Sequence, residues 1–108
     1  MNQSHRVGQI VEEYRARLEQ ILGGDLEAVV LYGSQARGDA EAGSDIDVLC
    51  VMRCPFNYGA LIQRTAEAAA EVSLKHDVAI STAFVTSEDY RTRNTPFLMN
   101  VRREGVAV

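Results

Sequence analysis

The stretch Tyr32–Val51 reads YGSQARGDAEAGSDIDVLCV. An apolar run, LEAVVLY at 26–32, leads into it, and a second, DIDVLCVM at 45–52, leads out. Both runs are rich in aliphatic and β-branched residues and are bounded by glycine or small polar residues, so each is expected to form a strand. Between them, Gly33 stops the first strand, Ser34 to Arg37 suits one helical turn, and GDAEAGS at 38–44 suits a polar loop. Side chains alternate along a strand. Asp45 and Asp47 therefore share one face, and Ile46 and Val48 share the other. With Ile46 and Val48 in the core, both carboxylates point away from it together.

Two carboxylates so close repel, and one of them takes up its proton more readily than usual. A divalent cation removes that conflict, and magnesium in particular binds through one or two carboxylates plus phosphate oxygens of a substrate. The turn supplies the complementary half. Gly33 lets backbone approach a ligand closely. Ser34 opens a helical turn whose N–H groups favour an anion, and its hydroxyl is a further donor. Arg37 adds a cation with fork geometry for phosphate oxygens. The stretch thus reads as a nucleotide–metal site. Either half alone would be an ordinary turn or a solvent-facing strand start; the combination of strand, GS turn, loop and Asp-x-Asp strand argues for chemistry.

The third expected strand is DVAISTAFV at 77–85. By the same alternation, Asp77 falls with Ala79 and Ser81, opposite Val78 and Ile80. Three carboxylates on neighbouring strands would hold two metals, one orienting a triphosphate and one activating an attacking hydroxyl.

Outside the strands, apolar residues recur at helical spacing over 4–22 (Val7, Ile10, Val11, Tyr14, Leu18, Ile21) and over 57–75 (Tyr58, Leu61, Ile62, Thr65, Ala69, Val72). Gly23-Gly24 ends the first run, and Asn57 is the expected cap of the second. A last helix is expected over about 94–104, stopping at Gly105. Helices separated by short strands predict an α/β (α+β) two-layer domain spanning 1–108, a small mixed sheet with helices on one face and the other face open for a site.

The 108 residues suit one domain, and 46% apolar with 24% charged residues is ordinary for a soluble protein. A formal net charge of −4 argues against a general nucleic-acid binder, so no direct nucleic-acid binding is expected. Arg91, Arg93, Arg102 and Arg103 cluster near the end, but Glu88, Asp89 and Glu104 lie among them, which reads as a solvated face. No apolar run is long enough to span a membrane. Two cysteines, Cys50 and Cys54, make no disulfide framework and no zinc spacing, so a reduced, cytoplasmic setting is expected. Cys50 reads as a small buried hydrophobe rather than a nucleophile.

GS, ten residues, then DID resembles the signature of the DNA polymerase β-type nucleotidyltransferase superfamily. The short chain, GSQARG at 33–38 and PFLMNVRREGV at 96–106 resemble its minimal members, the MNT or MntA-like branch. The resemblance implies a nucleotidyltransferase fold and transfer of a nucleoside monophosphate, AMP from ATP, to a hydroxyl with release of pyrophosphate. It implies triphosphate binding by Gly33, Ser34 and Arg37. Asp45, Asp47 and Asp77 would be the catalytic, metal-binding carboxylates for one or two Mg2+ ions, with Mn2+ able to replace them. It also implies a HEPN-domain protein as partner, in a toxin–antitoxin pair in which the MNT chain adenylylates the HEPN ribonuclease. The nucleotide, the acceptor and any homo-oligomer stay open. A binding-only antitoxin or scaffold is the alternative of another class. Phosphatases with a DxDx(T/V) motif and glycosyltransferases with DxD place the aspartates at the end of a strand, whereas here the apolar residues follow them.

Overall fold

The computed structural model describes residues 3–38, 40 and 45–108, with side chains from residue 6 onward. Helix α1 (Gln3–Leu22) passes through a 3-10 turn (Gly23–Asp25) into β1 (Leu26–Tyr32), and α2 (Ser34–Arg37) follows at once. Then come β2 (Ile46–Met52), α3 (Tyr58–His76), β3 (Ile80–Thr86), α4 (Ser87–Thr92), α5 (Pro96–Glu104) and β4 (Val106–Ala107). Most of the expected loop at 38–44 lies outside the described residues.

Caps explain where the helices begin. Asn57 accepts the Ala60 N–H at 2.9 Å, Thr86 that of Asp89 at 3.2 Å, and Thr95 that of Leu98 at 3.2 Å. Each satisfies a donor that the first helical turn leaves without a partner. Pro96 then occupies the first turn of α5, where its missing N–H costs nothing.

The strand order is β3-β2-β1-β4. β1 runs antiparallel to β2 and β4, and β2 runs parallel to β3 through the α3 crossover. One face of the sheet carries Val29, Leu31, Ile46, Val48 and Cys50. It packs on α1 through Ile10, Val11, Tyr14 and Leu18, and on α3 through Leu61, Ala68 and Val72. Each fully buried Val, Leu or Ile among them contributes about 1.5–3 kcal/mol. The Tyr14 hydroxyl meets the Thr82 Oγ1 at 2.8 Å and ties α1 to β3.

The opposite face is not open along its whole length. Val30, Leu49 and Val51 form a second cluster with Leu98 and Val101 of α5. The two long helices lie on one face, as expected, but the C-terminal helix crosses to the other, where Leu98 and Val101 pack on the strands. The apolar residues of α5 were legible in the sequence; which face they meet was not. The fourth strand is a two-residue addition that pairs Val106 with Leu31 and Ala107 with Val30.

Candidate active site

The chemistry converges where β1 ends and β2 begins. Tyr32 lies opposite Asp47 in the β1–β2 register, and Ser81 lies opposite Asp47 in the β2–β3 register. Paired positions share a face. Tyr32, Asp47 and Ser81 therefore stand in a row across three strands, on the face that α5 covers further along. Ile46 and Val48 sit in the core on the other face, as the alternation requires. Asp45, just before the strand, is exposed, and Asp47 is half-buried.

Gly33 holds the turn against this row. Its φ of 76° and ψ of −157° belong to a region that only glycine occupies without strain. A β-carbon there would overlap the Asp47 Oδ2 and sit 3.3 Å from its Cγ. The GS turn and the Asp-x-Asp strand are thus in direct contact. Ser34 opens α2, and the Gly33 carbonyl accepts from the N–H groups of Ala36 and Arg37, both at 3.1 Å.

Electrostatics tie the same residues together. Burial pushes the Asp47 carboxyl above its ordinary value, the neighbouring Asp45 charge pushes it further, and the Arg37 guanidinium pulls it back. Burial also raises the Tyr32 phenol, with a smaller push from Asp47. No hydrogen bond or ion pair reaches the Asp47 carboxylate among the described residues. A half-buried carboxylate, short of partners and beside a second one, suits a hard divalent cation with oxygen ligands. The donor set fits the metal that the sequence implies, with Asp45 and Asp47 as the residues to hold it.

Asp77 is placed differently from the expectation. α3 runs through His76, and Asp77 caps it in the left-handed conformation, φ 53° and ψ 51°. The strand starts three residues later, at Ile80. Asp77 is exposed and does not share a strand face with Ser81. Among the described residues, no group of three His, Cys, Asp or Glu side chains comes together to hold a metal. The physical reason is local: aspartate tolerates the left-handed region that a helix end demands. The alternation holds from Ile80 onward, with Ser81 opposite Asp47, but it does not reach back to Asp77.

Sequence reading also missed the wall that α5 provides. A cavity of about 180 Å³ is bounded by Tyr32, Gly33 and Arg37 on one side and by Phe97, Asn100 and Glu104 of α5 on the other. The Tyr32 and Phe97 rings meet edge to face, with centroids 5.4 Å apart. Arg102 of α5 donates to the carbonyls of Tyr90 and Arg93, at 2.7 and 2.9 Å, and fastens α5 to the segment before it. Cys50 is buried and its thiol is pushed up to about 12, which makes it a packing residue and not a nucleophile; Cys54 is exposed and free.

The family model for the nucleotidyltransferase domain matches residues 11–101, which takes in the GS turn, both aspartates and most of α5. The chain belongs to the nucleotidyltransferase family. A proposed protein adenylyltransferase of Methanocaldococcus jannaschii, MJ0141, is 33% identical to this nucleotidyltransferase over 100 residues, 93% of this chain and 96% of that protein. Among solved structures, a proposed nucleotidyltransferase from Sulfolobus solfataricus superposes with a TM-score of 0.69 at 19% identity, over 96% of this chain and 80% of that one. A toxin–antitoxin crystal structure with AMP-PNP superposes with a TM-score of 0.62 at 20% identity, over 89% and 70% of the two chains. At such identities the structures speak for the fold. The mixed α/β architecture read from the sequence is the nucleotidyltransferase fold. No described helix is long and apolar enough to cross a membrane.

Proposed function

We propose that this nucleotidyltransferase moves AMP from ATP onto a hydroxyl of a partner protein, with Gly33, Ser34 and Arg37 on the triphosphate and Asp45 and Asp47 on a divalent cation, Mg2+ or Mn2+. The observation that carries this reading is the contact of the Gly33 backbone with the Asp47 carboxylate, with Asp45 and Arg37 both within electrostatic reach of it. A phosphate-binding turn and a carboxylate pair so close fit a metal–triphosphate and little else.

In the step proposed, the acceptor oxygen attacks the α-phosphorus. The new O–P bond forms as the bond to the β-phosphate oxygen breaks, pyrophosphate leaves, and the acceptor hydroxyl gives its proton to solvent. The cation, when bound, supplies Lewis-acid stabilisation of charge on the phosphate oxygens. Arg37 balances charge on the leaving side. Tyr32 and the α5 wall keep that side from open water. Asp77 has no part in this reading, because the helix cap holds it off the strand.

The partner we propose is a toxin of the HEPN ribonuclease type, in a cytoplasmic toxin–antitoxin pair. The adenylyltransferase named in the similar M. jannaschii protein and the toxin–antitoxin structure of the same fold support it. The free thiols suit a reducing compartment. The test is to purify the chain with the product of the adjacent gene, add ATP labelled on the α-phosphate with Mg2+, and follow the label. Label on the partner is the expected result. A second reading, a silent antitoxin that only binds, draws on the lack of a three-ligand group among the described residues. It predicts a stable complex with no label.

A further inference from the structure

Glu104 ends α5 and faces the GS turn across the cavity. Its Oε2 lies 3.4 Å from Arg37 Nη1, and its Oε1 lies 3.5 Å from Arg103 Nη2. One carboxylate thus stands between two guanidinium groups, one from the turn and one from its own helix. Its backbone is fixed from both sides. The next residue, Gly105, donates its N–H to the Val101 carbonyl at 2.7 Å. A β-carbon at Gly105 would come within 2.6 Å of Val30 Cγ1, so the chain passes there only as glycine. Val106 then pairs with Leu31 of β1. The Glu104 carboxylate is therefore held relative to the strand that delivers Gly33.

We infer that Glu104 is a positioning residue for triphosphate binding: it holds the Arg37 guanidinium over the GS turn, so that α5 and β4 belong to the phosphate-binding apparatus. The inference rests on the reading of Arg37 as a phosphate ligand. A guanidinium has five N–H donors in a rigid fork, so a carboxylate on one nitrogen orients the remaining edges. Loss of that contact removes one of the interactions that order a long and flexible side chain, so more of the ordering would fall to the phosphate and the affinity would drop by that part of the cost. The two side chains are 43% and 30% exposed, so solvent screens the pair and the effect is modest.

The experiment measures the affinity for Mg2+–AMP-PNP by calorimetry for the intact chain and for the Arg37→Ala, Glu104→Gln, Glu104→Asp and Arg37→Ala/Glu104→Gln variants, with a melting curve for each. Glu104→Gln is expected to weaken binding roughly two- to five-fold, the size of a partly exposed ion pair, with little change in melting temperature. Glu104→Asp, which keeps the charge, is expected to recover part of the loss. In the double variant, Glu104→Gln is expected to add nothing to Arg37→Ala. If the wild-type chain binds and Arg37→Ala weakens it while Glu104→Gln does not, the inference is overturned and the site reading stands. Equal losses from Glu104→Gln with and without Arg37 also overturn it. No binding by the wild-type chain overturns the site reading and this inference together.

Discussion

At Gly33 two independent demands meet, a backbone conformation reserved for glycine and an Asp47 carboxylate where a β-carbon would go. Gly33→Ala is therefore expected to cost about 1–3 kcal/mol of stability through the backbone alone, and more through displacement of Asp47. A denaturant melt against the wild type measures it; an unchanged midpoint would mean the turn is looser than described. Asp47 makes a prediction of opposite sign. Its folded carboxyl titrates above the ordinary value of 3.8. The folded chain therefore binds the proton more tightly than the unfolded chain, and stability is lost as pH rises from the ordinary carboxylate range through the raised value. Above that value the penalty is constant. Asp47→Asn removes it, so in metal-free buffer the variant is expected to melt higher near neutral pH and to lose its advantage in acid. The same change is expected to lower nucleotide transfer by about 100-fold or more, equivalent to ~2.7 kcal/mol of transition-state stabilisation. Urea melts across pH and a transfer assay check both halves. The meeting of the GS turn with the Asp-x-Asp segment was legible in the sequence because it follows from spacing and alternation within a few residues. Asp77 was not, because HDVAI reads equally well as a helix end or a strand start, and the alternation that holds from Ile80 onward does not extend back through a left-handed helix cap.

α5 is the element whose position changes the picture of the site. Its extent, about 94–104 with a stop at Gly105, and its apolar pair, Leu98 and Val101, follow from helical spacing and were visible in the sequence, whereas its cap at Thr95, just before Pro96, emerges from the structure. The face of the sheet it covers depends on the path of α4, six residues too short to show a period of its own. β4, at two residues, carries no pattern either. Leu98→Ala is expected to cost about 2–5 kcal/mol, as large-to-small changes at buried positions do. It is also expected to weaken triphosphate binding, because α5 would no longer hold Phe97 and Glu104 against the turn. Thermal melting and nucleotide titration of the same variant separate the two effects. Loss of stability with unchanged affinity would show that α5 supports the fold without shaping the site.

On the scale of the whole molecule, the order β3-β2-β1-β4 puts the strand with the carboxylates at the centre, between the strand that delivers the glycine and the strand that carries Ser81. Burial of β2 on both faces makes it the most rigid support in the sheet, so Asp47 projects from a fixed base. The α/β class was legible in the sequence as helices alternating with short strands. The strand order and the crossing of α5 were not, since they depend on contacts between residues far apart in the chain. The central claim is that Asp45 and Asp47 hold a divalent cation that is needed for triphosphate binding beside Gly33. Calorimetric titration of AMP-PNP into the chain, with Mg2+ or with chelator, and into the Asp45→Asn/Asp47→Asn double variant, tests it most directly. The account predicts binding with Mg2+, little or none in chelator, and little or none by the folded double variant. Equal affinity under all three conditions would contradict it.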